Sequence, residues 1–332
     1  MGFGDFVSIC EKTPIPLCLL IGPSSPITGA HSVQSNCYAR SIELANTIIF
    51  EAAAGFAHIL TLTMLVIMII HVRSKFTAVG RKEMTSFFYL YTLLTMCSLV
   101  IDCGVVPPGS SAYSYFVAVQ CGLVSATCIC LMIGGCVGFA MYEDGTTLSV
   151  WLIYGCSTVM FLISFAVSLL TFKSWAGLGP ENTTGLFVVV YLFSAIFLAI
   201  YIVCQVIMVL GTLEQRWPLL HIILGVVALI IGQVLLYAFS EIICDNVEHY
   251  LDGLFFATLL NLLAVMMVYK FWDSITQEDL EFSVEEKSHN WEIKDNQPFL
   301  EEDLKHNTFY QQSDNGSGMF HQSGRRGSAY GY

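Results

Sequence analysis

Long apolar runs alternate with short polar gaps along most of this sequence. Seven runs approach or exceed the roughly 20 residues that an α-helix needs to cross a hydrocarbon core about 30 Å thick. They cover residues 47–72, 85–101, 115–141, 150–172, 185–210, 218–240 and 251–269. Open strands cannot satisfy their backbone groups in lipid. The pattern therefore predicts an all-α fold, a polytopic membrane protein built as a bundle of seven transmembrane helices.

The gaps between the runs are 13 residues or fewer, so no further domain fits between the helices. We divide the chain into an N-terminal segment (1–44), the bundle (45–272) and a tail (273–332). Between Asp273 and Asp303 the tail has eleven acidic residues against two lysines, and its end is rich in Ser, Gly and Gln. Such compositions bury too little apolar surface to offset the entropy lost on ordering. We expect this acidic tail to be disordered.

Composition supports the membrane class. Of 332 residues, 55% are hydrophobic and only 12% are charged. The formal net charge of -12 comes mainly from the tail. Phosphate binding needs a basic face, so we expect no nucleic-acid partner.

Positive residues in the short gaps predict the orientation. The gap between the first two helices holds Arg73, Lys75, Arg81 and Lys82, whereas the gaps after the second and sixth helices hold no Lys or Arg. With the first gap in the cytosol, the N-terminus is lumenal and the tail is cytosolic. The first residues lack the cationic start of a cleaved signal peptide, so the first helix is expected to direct insertion.

Five cysteines fall on the lumenal side in this orientation, and the other seven lie within helices. The five are Cys10, Cys18, Cys37, Cys103 and Cys244. Disulfides persist in an oxidising lumen, so we expect at least one bridge among them, with the connectivity left open. Asn182 begins an Asn-Thr-Thr glycosylation acceptor on the same side. Its position next to the fifth helix argues against actual modification.

Polar residues within the apolar runs are candidates for function or packing. Glu51 shares one helical face with His58 and the small residues between them, if the first helix begins at residue 47. This face could form a proton or ion path, or it could make hydrogen bonds between helices. We favour hydrogen bonding, because an ion path usually needs more than one deep acid. Asp102 and Asp252 are expected at lumenal helix ends, in contact with water.

Small residues mark two further packing faces. The third run has small residues at steps of four that end with Gly134 and Gly138, and the sixth run has Gly225 and Gly232 on one face. Such stripes let helices approach closely. They could pack this bundle internally or dock the transmembrane helix of a partner.

Known catalytic and heptahelical patterns are missing. Met141-Tyr142-Glu143 stands where a G-protein-coupled receptor has its acidic-Arg-Tyr motif, and the intramembrane histidines are scattered. We find no nucleotide, phosphate or zinc motif. The sequence therefore predicts a protein without a cofactor, a metal or enzymatic activity.

Several long blocks, in order, resemble the fungal chitin synthase export chaperone family. The resemblance extends from about residue 2 to about residue 282. Its most specific blocks are CYARSIELANTIIFE at 37–51, VIDCGVVPPGSSAYSYFVAVQ at 100–120, GQVLLYAFSEIIC at 232–244 and HYLDGLFFATLLNLLAVMMVYKFWD at 249–273.

The resemblance implies a non-enzymatic chaperone of the endoplasmic reticulum membrane. Such a protein binds a multispanning chitin synthase, prevents its aggregation and allows its export to the cell surface for cell-wall chitin synthesis. It could also travel with its client to the plasma membrane. Two other classes stay open, namely a receptor and a transporter for a small ligand.

The tail offers one candidate sorting signal. Asp279-Leu280-Glu281 has the D-x-E form used for loading into export vesicles, which would make a vesicle coat a second partner. So short a match is common by chance in an acidic segment, and a solvated spacer is the other interpretation.

Overall fold

The structure is a computed structural model that describes residues 4, 6–24, 31–44, 46–76, 78–136, 147–175, 177–212 and 216–295. The N-terminal segment contains the short helix α1 (Val7–Cys10) and a 3-10 turn (Pro16–Leu19). An antiparallel hairpin follows, with β1 (Ile42–Leu44) paired to β2 (Thr47–Ile49) so that Glu43 lies opposite Ile48.

Seven helices in the described residues are long and apolar enough to cross a membrane. The first four are α2 (Ala52–Ser74), α3 (Arg81–Asp102), α4 (Tyr113–Cys136) and α5 (Thr147–Phe172). The fifth span consists of α6 (Thr184–Leu186), a π-helical stretch (Phe187–Leu192) and α7 (Phe193–Thr212). The last elements are α8 (Trp217–Tyr237), the short α9 (Ser240–Asn246) and α10 (Gly253–Asp295). The predicted all-α, seven-helix membrane bundle is confirmed.

The first span begins later than the sequence suggested. Thr47 belongs to β2, and Glu51 directly precedes α2 with a left-handed φ of 43°. Asn46 has a φ of 72°, a conformation that asparagine tolerates in turns. β-Branched residues such as Thr47 and Ile48 also favour a strand. The prediction of a helix from residue 47 is wrong, so Glu51 and His58 do not share a helical face.

The last helix is longer than its membrane-spanning part. The span ends near Thr276, but the backbone of α10 stays helical to Asp295. We expected disorder from residue 274 onwards. Residues 254–297 contain no Gly or Pro, and Glu, Lys and Leu are good helix formers. Residues 296–332 lie outside the described part, so disorder there stays a prediction.

Contacts at the two ends of the bundle hold its helices together. At the end that carries residues 4–44, called the N-terminal end below, Phe50 N donates to the Cys103 carbonyl at 3.3 Å. At the opposite end Lys75 pairs with Asp273, and Trp272 Nε1 donates to the Val79 carbonyl at 2.9 Å. These contacts join the first interhelical loop to the end of the last span.

Candidate functional site

The N-terminal segment packs into the N-terminal end of the bundle. Phe6, Leu17 and Ile21 are almost fully buried and belong to one apolar cluster with residues of α3, α4 and the fifth span. Hydrogen bonds also fix the segment. Tyr113 Oη donates to the Pro16 carbonyl, and Thr13 Oγ1 donates to a carbonyl of α8, each at 3.1 Å. The segment is therefore part of the bundle's core.

Two disulfides join four of the five candidate cysteines. Cys10 is bonded to Cys18, eight residues away, and closes a small loop in the N-terminal segment. Cys37 is bonded to Cys244 in α9, across a separation of 207 residues. Cys103 is a free thiol that is partly buried. Burial is the main cause that raises the pKa of this thiol, and the nearby Asp102 adds to the effect. The second bridge ties the N-terminal segment to the connection between α8 and α10.

A buried hydrogen bond joins the first two spans. His58 Nε2 of α2 lies 2.8 Å from Asp102 Oδ2, and both residues are 6% exposed. Asp102 is the last residue of α3, where we expected contact with water. That prediction is wrong, because the N-terminal segment covers this end. His58 lies about 9 Å into its span and needs a polar partner there. The next helix runs antiparallel and ends at an acid, Asp102, so the sequence did contain a signal for this pair.

Two further acids lie near this pair. Asp252 is 1% exposed, and its Oδ1 accepts a hydrogen bond from Phe255 N at the start of α10. The expected capping role is therefore present, although the expected contact with water is not. Burial raises the pKa of Asp252 despite this hydrogen bond. Burial raises the pKa of Glu51 still further, with Asp102 and then Asp252 adding to the effect.

A cavity of about 370 Å³ lies between the spans. Side chains of α2, α3, α4, α7, α8 and α10 line it, and Ile15 and Pro16 cover it at the N-terminal end. Interhelical hydrogen bonds border it. Gln120 Nε2 donates to Ser98 Oγ at 2.9 Å, and Gln233 contacts Asn261 at 3.4 Å. The bundle therefore has a polar layer near its N-terminal end, beside an internal space.

The glycines singled out in the sequence face other parts of this chain. A Cβ atom at Gly225 would lie 3.2 Å from Met267 Cβ, and one at Gly232 would lie 3.1 Å from a residue of α10. A client helix could not reach these two glycines without displacing α10. Gly134 faces Glu83 of α3 more loosely, at 4.0 Å. Gly138 lies outside the described residues.

The remaining candidates are the glycosylation acceptor and the acidic motif of the tail. Asn182 is exposed in the loop before the fifth span, where its backbone N–H donates to the Gly179 carbonyl at 3.0 Å. The loop belongs to the N-terminal end, since Gly22 N donates to the Pro180 carbonyl. Asp279 and Glu281 lie outside the residues whose side chains the structure describes.

Comparison with known proteins identifies the relatives of this chain. The family profile described as chitin synthase export chaperone matches residues 2–286. The chain belongs to the chitin synthase export chaperone family. The family profile thus includes the N-terminal segment, both disulfides and all seven spans. The resemblance found in the sequence is confirmed. No solved structure matches the chain significantly.

Relatives in other fungi match along almost their whole length. The chitin synthase export chaperone of Aspergillus fumigatus is 64% identical over 100% of this chain and 99% of its own length. Those of Aspergillus oryzae and Emericella nidulans are 62% and 60% identical, over 99% and 100% of this chain and 98% and 100% of their own lengths.

The two bridges predict unequal effects of removing Cys244 and Cys103. Cys244→Ser should lower the thermal midpoint of the full-length protein in mild detergent, because closing a long loop typically contributes about 2–4 kcal/mol. Cys103→Ser is the matched control and should change the midpoint little. Non-reducing peptide mapping should find Cys10 linked to Cys18 and Cys37 linked to Cys244. A linked Cys103, or equal effects of the two substitutions, would contradict the pairing.

Glu51 predicts a pH dependence of stability. Its pKa in the folded protein lies above the ordinary value of 4.5. Between these two values the folded protein holds a proton that the unfolded chain releases, so this group makes stability fall as pH rises. Near pH 4.5, the thermal midpoint of Glu51→Gln should therefore be close to that of the wild type. Towards neutral pH, the midpoint of the variant should exceed that of the wild type by an increasing margin. The exposed Glu43→Gln should show no such trend. A Glu51→Gln advantage that shrinks with rising pH would refute the assignment.

Proposed function

We propose that this chain is a membrane-embedded chaperone that binds a chitin synthase in the endoplasmic reticulum, prevents its aggregation and allows its export. The family match over residues 2–286 carries this proposal, together with the names of the full-length relatives. The export of a chitin synthase would support cell-wall chitin synthesis. A receptor or transporter for a small ligand is the alternative.

Such a chaperone must cover those surfaces of its client that are unfavourable in contact with lipid. A multispanning client with polar residues in its spans cannot leave them facing lipid, because a charged group at the bilayer centre costs several kcal/mol. This chain offers the client a helical surface with large exposed apolar side chains, such as Ile70, Trp151 and Ile230. Helices associate in lipid mainly through close packing and interhelical hydrogen bonds. Recognition by packing needs no reacting group.

We also propose that the N-terminal end faces the lumen and that the tail lies in the cytosol. Arg73, Lys75 and Arg81 lie at or near the opposite end, as expected for a cytosolic face. Both disulfides and Asn182 belong to the N-terminal end, and disulfides persist in oxidising compartments. Charge and cysteine chemistry thus support the same orientation independently.

Protease protection tests the orientation. Protease added to intact microsomes should remove a tag placed after Tyr332 and spare a tag placed before Met1, because only the cytosolic side is accessible. Detergent added before the protease is the control and should expose both tags. Loss of the N-terminal tag alone from intact vesicles would reverse the orientation.

Without the chaperone, its client should be retained in the endoplasmic reticulum. In cells that lack this protein, a fluorescent chitin synthase should stay in the endoplasmic reticulum and run as aggregates on a native gel. A second multispanning plasma-membrane protein should still reach the surface, and re-expression of the intact chain should restore synthase export. Normal synthase traffic in the deleted cells would contradict the chaperone function and leave the receptor or transporter alternative.

For the tail we propose that Asp279 and Glu281 form an export signal read by a vesicle coat, which would let the chaperone travel with its client to the plasma membrane. Asp279→Ala combined with Glu281→Ala should then trap the protein in the endoplasmic reticulum. Glu285→Ala combined with Glu286→Ala removes the same charge outside the motif and should leave export unchanged. Equal export rates for the two double variants would reduce the motif to part of a charged spacer.

A further inference from the structure

The cavity between the spans is elongated. It borders α8 from His221 to Gln233, a stretch of thirteen residues or about 18 Å. Its volume of about 370 Å³ is in the range of small-molecule sites. Its length and volume suit one extended chain.

The lining changes character along the cavity. Near the N-terminal end it includes Asp102 and Gln120, and towards the opposite end it is largely apolar, with Phe87 and Phe271 among its side chains. His221, Thr127 and Tyr201 are the more polar side chains in that part. A ligand matched to this lining has a polar head at the N-terminal end and a long apolar body.

The polar end has buried polar atoms without partners. His58 Nε2 lies 2.8 Å from Asp102 Oδ2, while Asp102 Oδ1 and His58 Nδ1 have no hydrogen-bond partner among the described groups. Both side chains line the cavity. A carboxyl oxygen accepts hydrogen bonds, and a protonated amine offers it up to three N–H donors.

Charge favours the same head group. Glu51 and Asp252 lie close enough to Asp102 to act on it electrostatically. Within the described ranges, the ion pairs that involve a lysine lie at the opposite end of the bundle, where Lys75 and Lys270 contact Asp273. The acids of the polar layer have no such lysine partner there. Asp102 already contacts His58, and a carboxylate in an interior of low dielectric also attracts a further cation.

We propose that this cavity binds a single-chain amphiphile with a protonated amine as its head group. The amine contacts Asp102, and the chain extends between α8 and α10 towards Phe271. The loop closed by Cys10 and Cys18 covers the head group through Ile15 and Pro16. The proposed site does not rest on the chaperone function.

Photolabelling of the full-length protein in lipid nanodiscs tests the site. The probe is a long-chain primary amine with a diazirine in mid-chain and a terminal alkyne, and the matched control probe is the alcohol of the same chain. The amine should label peptides of α8 and α10 saturably, in competition with unlabelled amine. The alcohol should label them roughly tenfold less or weaker still, since it lacks the charge that pairs with Asp102. Equal labelling by both probes, or non-saturable labelling of lipid-facing residues such as Leu93, would overturn the proposal.

Three variants locate the site. Asp102→Asn should reduce saturable labelling roughly tenfold or more, as expected when one partner of a buried charge pair is neutralised. The exposed Asp245→Asn in α9 should label like wild type. Leu229→Trp fills the middle of the cavity and should also abolish labelling while it keeps the acid. Unchanged labelling in a folded Asp102→Asn or Leu229→Trp would refute the site. If neither variant folds, the comparison of amine and alcohol on the wild-type protein decides.

Discussion

Hydrocarbon cannot hydrogen-bond to a peptide group, and this constraint governs the whole molecule. Each span must satisfy its own backbone as a helix, which is why seven apolar runs become seven helices. Non-helical structure, such as the β1–β2 hairpin and the 3-10 turn, lies at the N-terminal end. Polar side chains within the spans must find partners inside the bundle. The pairs His58–Asp102 and Gln120–Ser98 are such solutions.

The N-terminal segment turns one end of this bundle into an interior. Residues 6–21 pack on the ends of the spans, and Asp102 and Asp252 are buried at this same end. Burial raises the pKa of Glu51 and Asp252, and these acids keep carboxyl oxygens without a hydrogen-bond partner among the described groups. The Cys37–Cys244 bridge fastens this arrangement across a separation of 207 residues. A covalent cover, a polar layer and a cavity below it thus form one connected feature.

Run length and hydropathy were sufficient to predict the seven spans, because membrane thickness fixes the length of a helix. They failed at residues 47–50, since a short apolar stretch suits a strand as well as a helix. The sequence singled out five cysteines as candidates for disulfides, but their pairing depends on three-dimensional proximity. The burial of Asp102 depends on a segment some 80 residues or more earlier in the sequence. No local pattern contains that information.

The chaperone function requires that this chain keep a chitin synthase dispersed in the membrane. It is tested most directly by translating the synthase into liposomes with and without this protein and measuring its state on a native gel. With the protein present, we expect the synthase in a discrete stoichiometric complex; without it, we expect aggregates. A synthase that disperses equally well alone, or that aggregates equally in both cases, would contradict the chaperone account.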